Sequence, residues 1–189
     1  MGSDKALLPH PDGGTWLERT LLVLAELRAP ITLLSRWPEH LALAQELRAE
    51  LNHRGASIET LRELPPWEGP LLALHRLMRH HPQQKLLLCP VDMPALNQAA
   101  LAQLMAASDA QPDRIVVAHD GERCQPLLGI YPSDEERSDA LSTAIDKGER
   151  RLQRWLGGQA NVSVVLDPSS IRNVNHPSER EALGGSPRP

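Results

Sequence analysis

The sequence predicts an α/β domain with three layers, α/β/α, built on a mostly parallel, mixed sheet. Short apolar runs alternate along the chain with longer segments in which leucines recur at helical spacing. Helical segments of about 10–15 residues between strands are typical of crossover units, which join parallel strands and cover both faces of the sheet. The 189 residues are enough to bury a core without disulfide staples.

The elements follow from the periodicity in chain order. Leu17, Leu21 and Leu24 form one helical stripe, and Leu43 and Leu47 begin another. Helices are predicted at residues 15–28, 39–54, 70–81, 97–107, 133–146 and 150–156. Strands are predicted at residues 31–34, 58–61, 85–89, 114–118, 124–131 and 162–166.

For two of these strands the sequence also predicts a position or a direction in the sheet. Residues 86–89 are apolar at every position, as in a central strand that is covered on both faces, so we predict that strand 85–89 lies inside the sheet. Between residues 118 and 124 a five-residue turn contains Asp120-Gly121, which favours a hairpin and therefore one antiparallel strand.

The composition of the chain limits which classes of partner and which compartment we expect for the protein. Lys and Arg number 20 against 24 Asp and Glu, a net charge of −4, which argues against nucleic-acid binding. No apolar run approaches the 18 or so residues that span a bilayer, so we expect no membrane association. Two cysteines and no secretory signal indicate a reduced, cytoplasmic protein. We expect one domain over residues 1–183 and a disordered Gly- and Pro-rich tail over 184–189.

Two segments offer charged groups for chemistry. Lys5, with Gly2 allowing close backbone approach, could bind a phosphate, although a solvated N-terminal segment explains the same residues. Asp92 follows an apolar strand, where α/β sheets collect ligands, and one carboxylate with substrate phosphates can hold Mg²⁺. The alternative is that Asp92 caps the turn after it.

Three further positions have a structural and a functional interpretation each. Gly69 precedes Pro70 at a helix start, where the helix N-terminus could face a ligand, but helix initiation explains the pair as well. Arg150-Arg151 could contact an anion or begin a solvated helix. Asn173 and Asn175 point the same way in an extended segment and could bind a ligand or a loop backbone.

Six motifs in order resemble the molybdenum cofactor guanylyltransferase family over nearly the whole chain, up to about Leu183. Each is weak by itself, and their common order makes the resemblance specific. They are Met1-Gly2-Ser3-Asp4-Lys5-Ala6-Leu7-Leu8, Gly69-Pro70-Leu71, Cys89-Pro90-Val91-Asp92-Met93-Pro94, His119-Asp120-Gly121-Glu122-Arg123, Gly148-Glu149-Arg150-Arg151 and Asn173-Val174-Asn175-His176-Pro177.

The resemblance implies a nucleotide-diphosphosugar-transferase type of fold and transfer of GMP from GTP to the molybdenum–molybdopterin cofactor, with release of pyrophosphate and with Mg²⁺. Lys5 and Asp92 then match the phosphate-binding lysine and the Mg²⁺-binding aspartate, with Gly2 and Gly69 beside the nucleotide. Arg150, Arg151, Asn173 and Asn175 look like the cofactor side. Molybdoenzymes or their chaperones are implied as possible recipients.

The chain departs from the family pattern in two places. The pattern begins Leu-x-Gly-Gly-x-Ser-x-Arg before the methionine that matches Met1, so the first strand and its glycine loop are not in this sequence, and we expect codons for them directly upstream. Members of the family often have an Asp that contacts guanosine shortly before the Gly-Pro-Leu segment, and this chain has Arg62 near that place.

These departures leave two alternatives open. One is a cytidylyltransferase or another nucleotidyltransferase of the same fold. The other is an inactive, truncated binding protein without the glycine-rich nucleotide loop.

Overall fold

A computed structural model describes residues 4–173, which form two compact units. Of the described residues, the first unit contains 4–61, 91–98 and 168–173, and the second contains 62–90 and 99–167. The predicted tail at 184–189 lies outside the described residues. No helix among the described residues is long and apolar enough to cross a membrane.

Seven α-helices are present among the described residues, and they lie near the predicted segments. They are α1 Trp16–Ala25, α2 Pro38–Glu46, α3 Arg48–His53, α4 Pro70–His80, α5 Gln98–Ala110, α6 Glu135–Asp146 and α7 Leu152–Leu156. Caps set several of their ends. Thr15 and Glu18 form a capping box at α1, and the Asp134 carboxylate accepts the Arg137 N–H at α6.

The helix predicted at residues 39–54 is two helices in the structure. Leu47 has φ −76° and ψ −8°, which ends α2 and begins α3. No glycine or proline stands at that point, so the interruption leaves no signal in the sequence.

In the part of the chain that the structure describes, six strands form two sheets. They are β1 Ile31–Ser35, β2 Ile58–Arg62, β3 Lys85–Leu88, β4 Ile115–His119, β5 Cys124–Pro132 and β6 Asn161–Val165. In the first unit β1 lies beside β2, and in the second unit the order is β3-β5-β4-β6. There β4 and β6 are parallel, and β5 is antiparallel to both β3 and β4. Three of four strands therefore run one way in a mixed sheet, as predicted.

The hairpin prediction is confirmed and the central-strand prediction is wrong. The turn between β4 and β5 is held by Asp120, whose carboxylate accepts the N–H groups of Glu122 at 3.0 Å and Arg123 at 2.8 Å.

By contrast β3 is an end strand of the described four-stranded sheet and is only half-buried, with Lys85 exposed. A run of leucines predicts burial, but it does not specify how many strands pair with it.

Each unit has its own core of aliphatic side chains. In the first unit Leu17, Leu21 and Leu51 are almost fully buried. In the second, Ile115, Val117 and Tyr131 pack with α4, α6 and α7 on one face of the sheet. Side chains alternate between the faces of a strand, so Val116 lies on the other face, where it too is fully buried. Both faces of this sheet are therefore covered.

Candidate active site

Lys5 begins a single turn of 3-10 helix, Lys5–Leu7, in the first unit. The Asp4 carboxylate accepts the Ala6 N–H at 3.1 Å, and the Leu8 N–H donates to the Lys5 carbonyl at 3.1 Å. Ala6 is 3% exposed, which anchors the turn in the core. A helix this short has little stability by itself, so these contacts fix the backbone of Lys5.

His10 joins the segment after Lys5 to the loop that contains Asp92. Its Nε2 donates to the Pro94 carbonyl at 2.9 Å, and its Nδ1 accepts the Asp12 N–H at 3.1 Å. Both ring nitrogens are thus satisfied by a neutral imidazole. The His10 side chain is 7% exposed, so this bond is shielded from water and holds the two segments together.

Asp92 lies half-buried in a bend after Pro90. Burial raises the pKa of its carboxyl above the ordinary value of 3.8, because the charged form loses hydration. The positive charge of Lys5 and a hydrogen bond from the Asp92 backbone act the other way and lower that pKa. Lys5 and Asp92, which are distant in the sequence, are therefore close enough in the fold for their charges to interact.

This pair suits a divalent cation with a phosphate. A desolvated carboxylate is a hard oxygen ligand, and Mg²⁺ commonly takes one or two protein carboxylates together with substrate phosphates. The nearby ammonium of Lys5 can interact with the same phosphates. On this donor chemistry the residues fit a Mg²⁺–nucleotide complex. Gly2, predicted beside them, lies outside the described residues.

Gly69 belongs to the second unit and begins α4. Its φ of 99° and ψ of −176° lie in a region that only glycine adopts readily. A Cβ there would stand 3.6 Å from the Arg150 carbonyl, so space does not exclude a side chain and backbone conformation does. The structure supplies a conformational reason for this glycine, and its predicted role at the nucleotide stays a prediction.

Arg150 is held in place by several bonds in the second unit. Its Nε lies 2.5 Å from Glu68 Oε2, and its Nη1 donates to the carbonyls of Ile145 at 2.8 Å and Glu149 at 2.9 Å. Arg151 is exposed and donates its backbone N–H to Glu149 Oε1 at 2.9 Å. The adjacent arginines are therefore not equivalent, because Arg150 braces the loop and Arg151 extends to solvent.

A cavity of about 620 Å³ opens beside these arginines. Four cationic side chains and one carboxylate contribute to its wall. The lining residues are Ala144, Lys147, Gly148, Glu149, Arg150, Arg151, Arg154 and Trp155. The excess of positive charge makes the cavity suited to an anionic ligand.

The last predicted pair is only partly described. Asn173 is half-buried in the first unit, shortly after the fully buried Ile171. Asn175 lies outside the described residues. The extended pair that the sequence predicts is therefore not tested by the structure.

Sequence reasoning missed three residues that organise these regions. His40 is a buried histidine and His10 a half-buried one in the first unit, and Glu149 is the carboxylate that accepts the N–H groups of Arg150 and Arg151. No metal-ligand spacing or catalytic motif surrounds the histidines. The His10 bond to Pro94 and the His40 bond to Asp4 join residues that are distant in the chain, so no local pattern reveals them.

A nucleotide-handling transferase is the class that this fold and this site define. The model of the MobA-like NTP transferase domain family matches residues 1–162. The chain belongs to this family of nucleotidyltransferases.

Two relatives make the similarity more specific. A protein of Rhodopirellula baltica named probable molybdenum cofactor guanylyltransferase is 32% identical over 184 residues, which is 95% of this chain and 83% of the relative. A Shewanella protein named molybdenum cofactor guanylyltransferase is 32% identical over 118 residues, 61% of this chain and 58% of that relative.

Solved structures show the same fold. The molybdopterin-guanine dinucleotide biosynthesis protein A of Archaeoglobus fulgidus has a TM-score of 0.72 at 18% identity, covering 97% of this chain and 90% of its own. The 4-diphosphocytidyl-2C-methyl-D-erythritol synthase of Anaerococcus prevotii has a TM-score of 0.74 at 11% identity, covering 97% and 92%. At such identities the likeness establishes the fold.

Proposed function

We propose that the chain transfers GMP from GTP to the molybdenum–molybdopterin cofactor and releases pyrophosphate. The observation that carries the proposal is the electrostatic interaction between Lys5 and Asp92, in a chain of this family. The names of the relatives with 32% identity support the guanylyl group and the molybdenum cofactor as the reactants.

The reaction is a substitution at the α-phosphorus of GTP. A phosphate oxygen of the cofactor forms a bond to that phosphorus, and the bond to the bridging oxygen breaks so that pyrophosphate leaves with the electron pair. No protein nucleophile is needed, so catalysis depends on positioning and on neutralising phosphate charge. The fixed 3-10 turn positions Lys5, and the Lys5 ammonium neutralises part of the phosphate charge.

Asp92 is the residue that would hold Mg²⁺, which when bound supplies charge neutralisation at the phosphate oxygens. The partial burial that raises the pKa of Asp92 also removes competing water from its carboxylate. Lys5 meanwhile favours the ionised form that a metal requires. Gly2 and Gly69 are proposed to lie beside the nucleotide.

The cationic cavity of the second unit is the proposed place for the anionic cofactor substrate. Arg151 is exposed at the cavity and would contact the ligand, whereas Arg150 supports the loop through Glu68 and two carbonyls. Asn173 and Asn175 are proposed to take part on the same substrate. We propose that the protein acts in the cytoplasm and delivers its product to molybdoenzymes or their chaperones.

The test is a turnover assay with GTP, Mg²⁺ and purified molybdenum–molybdopterin cofactor, followed by release of pyrophosphate. Asp92→Ala should abolish release, and Asp139→Ala, at an exposed aspartate of α6, should leave it unchanged. Equal activity in wild type and Asp92→Ala would contradict the proposal. GTP binding without any turnover would instead favour the inactive binding protein.

A cytidylyltransferase is the second candidate. Arg62 stands near the place where relatives have a guanosine-contacting Asp, and the fold is shared with a 4-diphosphocytidyl-2C-methyl-D-erythritol synthase. The same assay with CTP in place of GTP separates the two. Preference for CTP by tenfold or more in kcat/KM would replace the guanylyl assignment.

A further inference from the structure

We propose that His40 is a positioning residue for Lys5 and acts through Asp4. Three side chains of the first unit form one hydrogen-bonded chain, which we call the Ser35–His40–Asp4 relay. Ser35 Oγ lies 2.9 Å from His40 Nδ1, and His40 Nε2 lies 2.5 Å from Asp4 Oδ2. The inference rests on the proposed function, in which Lys5 binds the phosphates of the nucleotide.

Asp4 connects the relay to the backbone of Lys5. One of its carboxylate oxygens accepts from His40, and the other accepts the Ala6 N–H at 3.1 Å. The carboxylate therefore caps the 3-10 turn while its own position is fixed by the imidazole. Because Asp4 directly precedes Lys5, any freedom of the Asp4 side chain becomes freedom of the turn that begins at Lys5.

The other end of the relay is rooted in regular structure. Ser35 is the last residue of β1, and His40 lies in the first turns of α2 with 8% of its surface exposed. The Trp37 N–H donates to Ser35 Oγ at 3.1 Å, and the Ser35 O–H can donate to His40 Nδ1. The opposite nitrogen, Nε2, carries a proton and donates to Asp4, because a carboxylate oxygen can only accept.

A Ser-His-Asp set can suggest a nucleophilic triad, and this geometry argues against one. A nucleophilic serine needs an accessible oxygen, whereas Ser35 is 7% exposed and its oxygen already accepts from Trp37. The relay instead runs from a strand end outward to the capping carboxylate. These hydrogen bonds restrict the motion of the backbone at Lys5. Because the four-carbon side chain of Lys5 is flexible, a fixed backbone lowers the entropy that is lost when the ammonium binds a phosphate.

The first experiment measures, without any ligand, how strongly the Ser35–His40–Asp4 relay fixes the 3-10 turn. Amide hydrogen exchange at Ala6 is compared in wild type, His40→Leu, Ser35→Ala and the control His53→Leu, which changes an exposed histidine of α3 in the same unit. We expect Ala6 exchange to accelerate about tenfold in His40→Leu, less in Ser35→Ala and not in the control. Unchanged exchange in a folded His40→Leu protein would overturn the proposal.

The second experiment asks whether the Ser35–His40–Asp4 relay acts through Lys5. The Kd for GTP with Mg²⁺ is measured for His40→Leu, Lys5→Ala and the double variant. If His40 acts through Lys5, His40→Leu weakens binding about tenfold by itself and adds nothing to Lys5→Ala. An additive loss in the double variant would contradict it, because His40 would then act independently of Lys5.

A conservative variant separates positioning from packing. His40→Gln keeps a side-chain N–H donor for Asp4, so it should recover most of the GTP affinity that His40→Leu loses. Equal loss in the two variants would mean that only the shape of the imidazole matters and would overturn the proposal. If the wild-type chain binds no GTP, only the proposed function is contradicted. Amide exchange at Ala6 still tests whether the Ser35–His40–Asp4 relay fixes the turn.

Discussion

Asp92 in the first unit and Glu149 in the second are both carboxylates in loops, and their surroundings shift their pKa values in opposite directions. Burial is the main influence on Asp92 and raises its pKa. Backbone N–H groups of Arg151 and Arg150 are prominent around Glu149 and lower its pKa below the ordinary value of 4.5. The Arg154 guanidinium, 3.2 Å from Glu149 Oε2, acts in the same direction.

The difference separates a group held for chemistry from a group used for structure. The Glu149 carboxylate organises the Arg150–Arg151 backbone, so its charge stabilises the fold. The charge on Asp92 is opposed by desolvation and is favoured mainly by Lys5, so it costs stability unless a cation is bound. Residues placed for function commonly carry such a cost.

The largest effect is expected at Asp92. Asp92→Asn should lower transfer by about 10²–10³-fold, because the neutral amide is a poor Mg²⁺ ligand. Without bound Mg²⁺ the negative charge of the phosphates is less well neutralised. Without Mg²⁺ the same variant should melt a few degrees higher than wild type at pH 7. Steady-state kinetics and thermal melts check the two parts.

The sign of that stability change follows from the raised pKa of Asp92. In the folded protein the carboxyl binds its proton more tightly than in the unfolded chain, so the neutral form is favoured by folding. The stabilising contribution is fully present below the unfolded pKa of about 3.8 and is lost as pH rises through the higher folded pKa. The advantage of the Asp92→Asn variant should therefore disappear in acid, and a lower melting temperature of this variant at pH 7 would break the comparison.

Lys5 should give the next largest effect. Lys5→Ala should reduce transfer by about 10²-fold, since one preorganised charge at the phosphates is lost. It should also raise the pKa of Asp92 further, because the ammonium that lowers that pKa is gone. Titration of the Asp92 side chain by NMR measures the shift, and an unaltered Asp92 titration would show that the two charges do not interact.

Glu149 tests the structural member of the comparison. Glu149→Gln should lower the melting temperature by a few degrees at pH 7, because the amide loses the charge that favours two backbone N–H groups and Arg154. Since folding lowers the pKa of Glu149, its contribution is present above the unfolded pKa of about 4.5 and is lost as pH falls through the folded pKa.

The matched control for Glu149 is Glu122→Gln, at an exposed position of the β4–β5 turn in the same unit. It should leave the melting temperature unchanged. A Glu149→Gln protein as stable as wild type would remove the distinction between the two carboxylates.

The smallest effects are expected at the two arginines. Arg150→Ala should lower the melting temperature slightly, because it breaks the ion pair with Glu68 and two carbonyl contacts, and partly exposed pairs contribute about 0.2–1 kcal/mol. Arg151→Ala should raise KM for the cofactor substrate a few-fold at unchanged stability. The reverse pattern, measured by melts and by KM, would exchange their assignments.

Several features could be predicted from the sequence because they are local. The Asp120-Gly121 turn and the leucine stripe of α1 each depend on neighbours within a few positions, and each led to the correct element. The position of β3 at the end of its sheet could not be predicted, because strand order is decided by pairings between residues far apart.

The candidate site divides in the same way. Lys5 and Asp92 were identifiable as residue types in a recognisable order, and that order also identified the family. Their contact with each other, the His10 bond to Pro94 and the Ser35–His40–Asp4 relay were not identifiable. Each of these joins segments that no spacing rule relates.

By itself, the sequence determined the α/β class, the positions of the strands and of most helices, and the two charged residues proposed for phosphate and metal. Tertiary structure decided which of the charges act together and what each charge costs. Arg150 and Arg151 are chemically identical in the sequence, yet one is bonded to Glu68 and the other is exposed. The physical reason is that hydration and partner geometry set the free energy of a charged group, and only the folded chain specifies them.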